Sequence, residues 1–218
     1  MENIGWSVYT TELCGILKYH CTDKAASDEN KDHNYSRLYS RLFHDLRYHP
    51  IRYFEVGIGT INPQIESNMA HMVNTFGYKP GASLRGFKEF FPKGEIYGAD
   101  FDKTILFQED RIHTFYVDQT DPESIKDLWT QIDGEFDIMI DDALHTFEAN
   151  KTFFLNSVHK LSKNGIYIIE DISNEELPKW DEEIPKIKIC YPDLKISIIN
   201  MHFENSAVLH LIVIQRRD

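Results

Sequence analysis

The chain has 218 residues, of which 42% are hydrophobic and 13% aromatic, so one sizeable core and a single domain with an N-terminal extension are expected. A formal net charge of −12 argues against nucleic-acid phosphate as the main partner. The three cysteines are odd in number and lack CxxC spacing, which indicates neither a disulfide framework nor a zinc site and fits a reducing, cytoplasmic setting.

The N-terminal region, residues 1–48, is predicted to be a helical extension with a loop, and residues 49–218 the main domain. Apolar spacing predicts a packing helix over residues 1–20 and a second helix from Tyr35 to Arg47, with a polar loop between them. A loop of that length is usually functional or disordered. Neither a signal peptide nor a transmembrane span is expected, because the necessary basic and apolar runs are missing.

The first core strand is predicted near Ile51–Thr60, and it runs into a glycine turn. Gly57 and Gly59 would let a ligand approach the backbone closely, and Glu55 is expected to face the crevice at the strand end. The dinucleotide fingerprint G-x-G-x-x-G would require a third small residue where Asn62 stands. A tight turn with no ligand is therefore the alternative.

The segment after this turn is unusually long. Asn62–Gly81 carries one short predicted helix, near Ile65–Phe76, and could fold over the crevice as a lid. A helix opens at Ser83, and a second strand over Glu95–Asp102 carries Asp100 near its end. An acid there can accept hydrogen bonds from both hydroxyls of a ribose, and a solvated strand-end charge is the alternative.

The third strand, Arg111–Asp121, is expected to end at Asp118 and Gln119. A helix opening at Pro122 follows, with the proline in the first turn, where a helix tolerates it. Asp118 and Gln119 are thus expected at the end of the third strand, as Asp100 is expected near the end of the second.

The central unit is a predicted strand, helix and strand over residues 136–145, 147–161 and 165–172. It forms one right-handed crossover with parallel strands, so both strand ends lie on the same edge of the sheet. Each apolar run ends in acids. The shared edge of the sheet is therefore expected to bring Asp141, Asp142, Glu170 and Asp171 together, with His145 nearby. Carboxylates placed there repel one another unless a cation or a proton lies among them.

The remaining segment, up to the C-terminus, is predicted to complete the sheet. An acidic stretch broken by two prolines is expected to be a loop or short helix, with Trp180 as a substrate platform or simply an anchoring aromatic. Two antiparallel strands, 194–203 and 207–217, then close the sheet. The expected fold is α/β, with a seven-stranded, mostly parallel sheet and a C-terminal antiparallel hairpin.

This layout resembles the doubly wound, Rossmann-like class I S-adenosylmethionine-dependent methyltransferases. EVGIG at 55–59 is similar to the family's first motif, whose glycine turn holds the amino-acid part of the cofactor. The resemblance implies that Asp100 binds the ribose and that Asp118 and Gln119 hold the adenine. The implied cofactor-binding residues are Glu55, Gly57, Gly59, Ser83, Asp100, Asp118, Gln119 and Asp141.

A narrower resemblance, over residues 20–180, is to the metal-dependent sugar O-methyltransferases of the macrolide-tailoring type and their relatives in bacterial polysaccharide pathways. Six motifs carry it in order: TDK at 22–24, His-Asn-Tyr at 33–35, GASLRGFKEFFP at 81–92, DQTDP at 118–122, IDDALH at 140–145 and IEDI at 169–172. The resemblance implies a metal ion held by Asp142, Glu170 and Asp171, and His145 as the catalytic base. The chain departs from the family pattern at Ile61–Pro80, which separates the glycine turn from the GASL segment.

The chemistry of methyl transfer accounts for such a set of residues. A sugar hydroxyl is too weakly acidic to ionise at neutral pH, and Mg²⁺ bound by hard carboxylate oxygens can orient it and stabilise the developing alkoxide. His145 would take the proton, although a histidine after a strand is commonly structural. Asp141 is open to three interpretations: a helix cap, a cofactor contact or an outer partner of the metal.

The sequence therefore predicts a Mg²⁺-dependent S-adenosylmethionine O-methyltransferase. Its expected substrate is a sugar hydroxyl, on a nucleotide-linked hexose or heptose destined for a surface or capsular polysaccharide. The alternatives are a non-sugar acceptor (a phosphoramidate, an antibiotic or a phenol), a nicotinamide-dependent oxidoreductase, and a non-catalytic cofactor-binding protein. A small molecule is the expected partner, with neither nucleic acid nor a membrane span, and a homo-oligomer is left open.

Overall fold

The computed structural model describes residues 10–25, 34–201 and 209–217. One sheet runs through the molecule in the strand order β3-β4-β2-β1-β5-β6-β8-β7. Its strands are β1 Arg52–Val56, β2 Glu95–Asp100, β3 Gln108–Glu109, β4 Ile112–Tyr116, β5 Phe136–Asp141, β6 Leu161–Ser173, β7 Leu194–Met201 and β8 Leu209–Arg216. The helices are α1 Glu12–Tyr19, α2 Tyr35–Leu42, α3 Ala70–Phe76, α4 Ala82–Phe90, α5 Pro122–Gln131, α6 Phe147–Ser157 and α7 Leu177–Cys190.

The sheet confirms the predicted α/β class. Strands β4, β2, β1, β5 and β6 are parallel, and β8 pairs antiparallel with both β6 and β7. The sheet has eight strands instead of seven, because Gln108–Glu109 pairs antiparallel with β4 at the edge. A strand of two exposed residues has no apolar alternation, so periodicity could not reveal it.

The core lies on both faces of this sheet. Successive residues of a strand point to opposite faces, and Phe54 and Tyr53 accordingly belong to two different hydrophobic clusters. Helices α5, α6 and α7 contribute to the first cluster, and α1, α2 and α4 contribute to the second. The N-terminal helices therefore share a core with the sheet, and the division at residues 48 and 49 stays a prediction.

The N-terminal helix begins later than predicted, at Glu12, where Thr11 caps it by accepting a hydrogen bond from the Cys14 amide at 3.3 Å. Residues 1–9, 26–33, 202–208 and 218 lie outside the described residues, and with them part of the predicted first helix, of the predicted polar loop and of the two predicted C-terminal strands. Within the described ranges, none of the helices combines the length and the apolar character that crossing a membrane requires.

Trp180 was expected in a loop or short helix beside the crevice, and this prediction is wrong. The segment forms the 14-residue helix α7, in which Pro178 lies in the first turn and Pro185 inside the helix. A proline in the first turn removes no intrahelical hydrogen bond, so it does not stop the helix. Trp180 is fully buried, with its ring centroid 5.0 Å from that of Phe147, and is an anchoring aromatic of the core.

Candidate active site

The site lies at the carboxyl ends of four neighbouring strands. Val56, at the end of β1, is level with Ala99 of β2 on one side and Asp141 of β5 on the other. Asp141 is in turn level with Ile169 of β6. This register brings the polar residues that follow each strand to one edge of the sheet, where open α/β sheets bind ligands.

The glycine turn after β1 is needed for packing within the protein. Gly57 and Gly59 have φ of +84° and +80°, the left-handed region that favours glycine. A Cβ on Gly57 would lie 2.0 Å from the carbonyl oxygen of Asp142, and one on Gly59 would lie 1.7 Å from the hydroxyl of Tyr78. Both glycines also line the larger of two cavities at this edge, so a ligand in that cavity could reach the turn.

The first cavity, of about 350 Å³, collects most of the predicted cofactor-binding residues. Its wall also includes Phe101, a half-exposed aromatic side chain, and part of the segment that follows the glycine turn. The predicted residues that line it are Gly57, Gly59, Asp100, Asp118 and Gln119. Residues from three separate strands therefore meet around one space.

Asp100 is buried, with 7% of its surface exposed, so its interpretation as a solvated strand-end charge is wrong. Its carboxylate accepts hydrogen bonds from the backbone amides of Ile58 and Asp102, each at 2.9 Å. Burial raises the pKa of Asp100, and these amide hydrogen bonds oppose the rise. Asp100 thus fixes the shape of the glycine turn as well as lining the cavity.

Asp141 is fully buried and lines neither cavity. It accepts a hydrogen bond from the side-chain amide of Gln119, whose oxygen accepts one from the Leu144 amide at 3.1 Å. Burial raises the pKa of Asp141 to about 6. The helix-cap interpretation is wrong, because Thr146 is the N-cap of α6, and Asp141 orients Gln119 from below the cavity.

Glu55 was expected to face the crevice, and the structure corrects this. Its side chain is fully buried beneath the edge and lines neither cavity. Tyr53 donates a hydrogen bond to it at 2.9 Å, and the Lys24 ammonium lies 3.4 Å away. Burial raises the pKa of Glu55 to about 7, while Lys24 and Ser83 favour its charged form. Ser83, predicted to bind the cofactor, lines the second cavity.

We expect Glu55 to make the protein less stable as the pH rises. The pKa of Glu55 is about 7 in the folded protein, whereas a glutamate exposed to water in the unfolded chain has a pKa near 4.5. The free energy of unfolding should therefore fall across that interval, by about 3 kcal/mol from this residue. Chemical denaturation of Glu55→Gln at a series of pH values should show a shallower fall than the wild type.

The matched control for this prediction is Glu182→Gln, since Glu182 is exposed on α7. Its pH dependence should match that of the wild type. Identical slopes for Glu55→Gln and the wild type would mean that Glu55 titrates in the folded protein as it does in the unfolded chain.

The second cavity is smaller and contains the predicted base. His145, Asp142 and Asp171 offer ligand atoms that all lie within 4.8 Å of one another. The Nε2 of His145 is 3.9 Å from Oδ1 of Asp142 and 3.8 Å from Oδ2 of Asp171. The Nδ1 of His145 has no hydrogen-bond partner among the described residues. One imidazole nitrogen and two carboxylate oxygens make a donor set that suits a divalent cation.

His145 and Asp171 have an unusual backbone conformation, with φ of +57° and +56°. Left-handed φ is uncommon outside glycine, although Asn, Asp and His adopt it more readily than other residues. Such conformations cluster at functional sites, where the surrounding structure holds them in place. His145 lies in the loop after β5, Asp171 lies within β6 at the irregularity between Ile169 and Ile172, and both side chains line the second cavity.

Glu170, the third predicted metal ligand, lies behind this cluster and is only 1% exposed. Its Oε2 accepts a hydrogen bond from Lys24 at 2.6 Å, and its Oε1 accepts one from the Tyr39 hydroxyl. Burial raises the pKa of Glu170, and Lys24 opposes the rise. The structure thus brings two of the three predicted ligands beside His145 and turns the third towards the N-terminal helices.

Three side chains of the N-terminal region reach the site without having been predicted there. They are Lys24, Tyr35 and Tyr39, all buried against the carboxylates. Lys24 belongs to the TDK motif and Tyr35 to the His-Asn-Tyr motif, so the sequence did contain a signal. Helix α2 and the segment that carries Lys24 therefore supply the polar side chains behind the acids.

Comparisons with known proteins find related enzymes, although no family model matches the chain. It is 30% identical over 168 residues to the 8-demethyl-8-alpha-L-rhamnosyl tetracenomycin-C 2'-O-methyltransferase of Streptomyces olivaceus, which covers 77% of this chain and 39% of that protein. It is 35% identical over 144 residues to the mycinamicin VI 2''-O-methyltransferase of Micromonospora griseorubida, covering 64% of this chain and 32% of the relative. The chain therefore spans less than two fifths of the length of these relatives.

Among solved structures, methyltransferases are again similar to this chain. The MycE methyltransferase of the mycinamycin biosynthetic pathway, in complex with Mg and SAH, superposes with a TM-score of 0.69 at 26% identity, over 96% of this chain and 56% of that one. A putative O-methyltransferase from Klebsiella pneumoniae has the same fold, with a TM-score of 0.59 at 10% identity over 97% of this chain and 92% of that one.

Proposed function

Because the chain belongs to the class I S-adenosylmethionine-dependent methyltransferases, we propose that it transfers a methyl group from S-adenosylmethionine to a sugar hydroxyl with the help of Mg²⁺. One observation gives the proposal its main support. The two cavities adjoin, since Gly57, Gly59, Ser67 and Asp142 line both, and His145 lines the second. A methyl donor in the larger cavity and an acceptor hydroxyl in the second would therefore have their reacting atoms close together.

The larger cavity is where we expect the cofactor. Asp100 can accept from the ribose hydroxyls while its other contacts hold the glycine turn. Asp118 and Gln119 are proposed for the adenine, and Asp141 fixes the orientation of the Gln119 amide. Glu55 and Asp141 are then supporting residues, since neither lines the cavity.

The cluster in the second cavity is where we expect the metal. Asp142 and Asp171 offer one oxygen each towards His145, and Glu170 is the further ligand that the family resemblance implies. Carboxylate oxygens suit a hard ion, and no thiolate is among the described residues that line this cavity, so the acids are proposed as ligands and His145 as the base. Mg²⁺ bound there would supply charge to stabilise a developing alkoxide.

His145 is proposed to take the proton of the acceptor hydroxyl. Its side chain is 28% exposed and lines the second cavity, so a bound substrate can reach it. Its Nε2 lies 3.9 Å from an oxygen of Asp142 and 3.8 Å from an oxygen of Asp171, so the base stands beside the proposed metal ligands. S-adenosylmethionine held in the larger cavity would supply the methyl group: a carbon–oxygen bond to the acceptor would form as the carbon–sulfur bond breaks, with S-adenosylhomocysteine as the leaving group and the proton on His145.

The acceptor class is supported by the relatives, one of which is named as the 2'-O-methyltransferase of a rhamnosyl tetracenomycin. The finer proposal is a nucleotide-linked hexose or heptose of a surface polysaccharide, and a non-sugar acceptor is the alternative within the same chemistry. A nicotinamide-dependent oxidoreductase is disfavoured, because Asn62 occupies the position of the third glycine in the dinucleotide fingerprint.

An acceptor screen tests this function. Purified protein is incubated with S-adenosylmethionine and Mg²⁺ together with nucleotide-linked hexoses and heptoses, an antibiotic glycoside or a catechol, and methylated product is followed by mass spectrometry. Methyl transfer to a sugar hydroxyl that stops on addition of chelator is the expected result. Transfer to the catechol alone would contradict the sugar acceptor, and transfer unaffected by chelator would contradict the metal.

A further inference from the structure

Lys24 is a buried lysine held in place by the N-terminal helices. Only 2% of its surface is exposed. Its backbone carbonyl accepts a hydrogen bond from the Ser36 amide at 3.0 Å, and its own amide donates to the Thr22 hydroxyl at 3.3 Å. The segment is thus attached to the start of α2, and the side chain reaches from there to the ends of β1, β5 and β6.

The Lys24 ammonium contacts three acids from three different strands. It donates to Oδ2 of Asp142 and, at 2.6 Å, to Oε2 of Glu170, and it lies 3.4 Å from Oε1 of Glu55. Because Lys24 is almost fully buried, its ammonium lies on the buried side of the acidic cluster, behind the oxygens of Asp142 and Glu170 that accept from it.

We propose that Lys24 is a positioning residue, which holds Asp142 by one oxygen so that the other oxygen faces His145 and Asp171. The two oxygens of the Asp142 carboxylate have different partners. Oδ2 of Asp142 accepts from Lys24, whereas Oδ1 is the oxygen 3.9 Å from Nε2 of His145. This inference rests on the proposed metal-assisted function, and it assigns a role to a residue that carries none of the chemistry itself.

Asp171 is held in the same way from the same side. The Tyr35 hydroxyl donates to its Oδ1, whereas Oδ2 is the oxygen 3.8 Å from Nε2 of His145. Two independent carboxylates thus each have one oxygen bonded to the N-terminal region and the other directed into the second cavity. Partners that orient metal-ligating carboxylates in this manner commonly change metal affinity about 10- to 100-fold when removed.

The alternative is that Lys24 occupies the place of the metal and competes with it. The geometry favours positioning, because the ammonium and the cluster use different oxygens of Asp142 and differ in exposure. The side chain of Lys24 is 2% exposed, whereas those of Asp142, Asp171 and His145 are 19%, 14% and 28% exposed. Without Lys24, Asp142 and Glu170 would repel each other and turn apart, which weakens the binding of a divalent ion.

The test is calorimetric titration of Mg²⁺ and of Mn²⁺ into the full chain saturated with S-adenosylhomocysteine, for the wild type, Lys24→Met and Lys24→Arg. We expect Lys24→Met to bind both ions about 10- to 100-fold more weakly. Lys24→Arg should recover part of the loss, because it keeps the charge. Affinity for S-adenosylhomocysteine should stay unchanged, since Lys24 does not line the larger cavity. Lys18→Met, an exposed lysine of α1, is the matched control.

Equal metal affinity in Lys24→Met and the wild type would overturn the inference, and so would tighter binding, which is the result expected of a competing cation. Removing one partner of a buried ion pair can prevent folding. Tyr35→Phe therefore provides a second variant, which removes the equivalent contact to Asp171 without removing a charge and should also weaken Mg²⁺ binding. A wild type that binds S-adenosylhomocysteine but neither ion would instead overturn the metal in the proposed function.

Discussion

Substitution of His145 by asparagine should lower the rate of methyl transfer by about 10²- to 10⁴-fold, the usual contribution of a general base. Asparagine cannot accept the proton, yet it tolerates the left-handed backbone at this position, where φ is +57°. An alanine variant would mix the loss of the base with backbone strain. Affinity for S-adenosylhomocysteine should stay near the wild-type value, because His145 lines the second cavity and not the larger one.

The rate is measured as S-adenosylhomocysteine production at saturating acceptor, and cofactor affinity by calorimetry. His159→Asn is the matched control, because His159 is exposed and follows α6 at a distance from both cavities. A His145→Asn variant with wild-type turnover would remove the residue from the role of base. A variant that loses cofactor affinity as much as turnover would show that His145 acts mainly through the structure.

Asp171→Asn should have a comparably large effect, through the metal. The substitution removes one negative charge and one strong ligand oxygen but preserves the shape of the side chain and the left-handed backbone, with φ of +56°. A metal ion that stabilises a developing alkoxide contributes several kcal/mol, so loss of its ligand should cost about 100-fold or more in turnover. Part of the loss should be recovered at high Mg²⁺, because the remaining ligands still bind weakly.

The measurement is turnover as a function of Mg²⁺ concentration, with chelator as the zero point. Asp110→Asn controls for removal of an acid, since the Asp110 side chain is 84% exposed and pairs only loosely with Lys88 at 3.6 Å. The same titration of Glu170→Gln tests the ligand whose oxygens face Lys24 and Tyr39. Wild-type activity of Asp171→Asn in the presence of chelator would contradict the metal assignment.

Much of the fold could be predicted, because the strands near the site are continuous apolar runs that end in acids. The runs that became β5 and β6, with α6 between them, could hardly form anything other than a parallel crossover. The sequence pattern gave a wrong prediction where the local structure depends on tertiary packing. Trp180 lies in a segment with two prolines, and its burial against Phe147 is decided by the core and not by local propensity.

For the candidate site too, the sequence predicted the position of some residues and missed that of others. Residues next to a strand end, such as Asp100 and Asp142, were found because the strand fixes where they lie. Lys24 was not, because its partners Asp142 and Glu170 follow it by 118 and 146 residues, and no periodicity relates positions so far apart. Glu55 was taken to face the crevice because of its position before the glycine turn, yet that position buries it beneath the turn beside Lys24.

The central claim is that this chain binds a methyl-donor cofactor next to a divalent metal. Calorimetric titration of S-adenosylmethionine and S-adenosylhomocysteine into the purified protein, with Mg²⁺ and with chelator, tests it most directly. We predict micromolar binding of both compounds under either condition, and a separate Mg²⁺ binding event that chelator abolishes. Binding of neither compound under either condition would contradict the account, and would leave an α/β protein whose acidic cluster serves another chemistry.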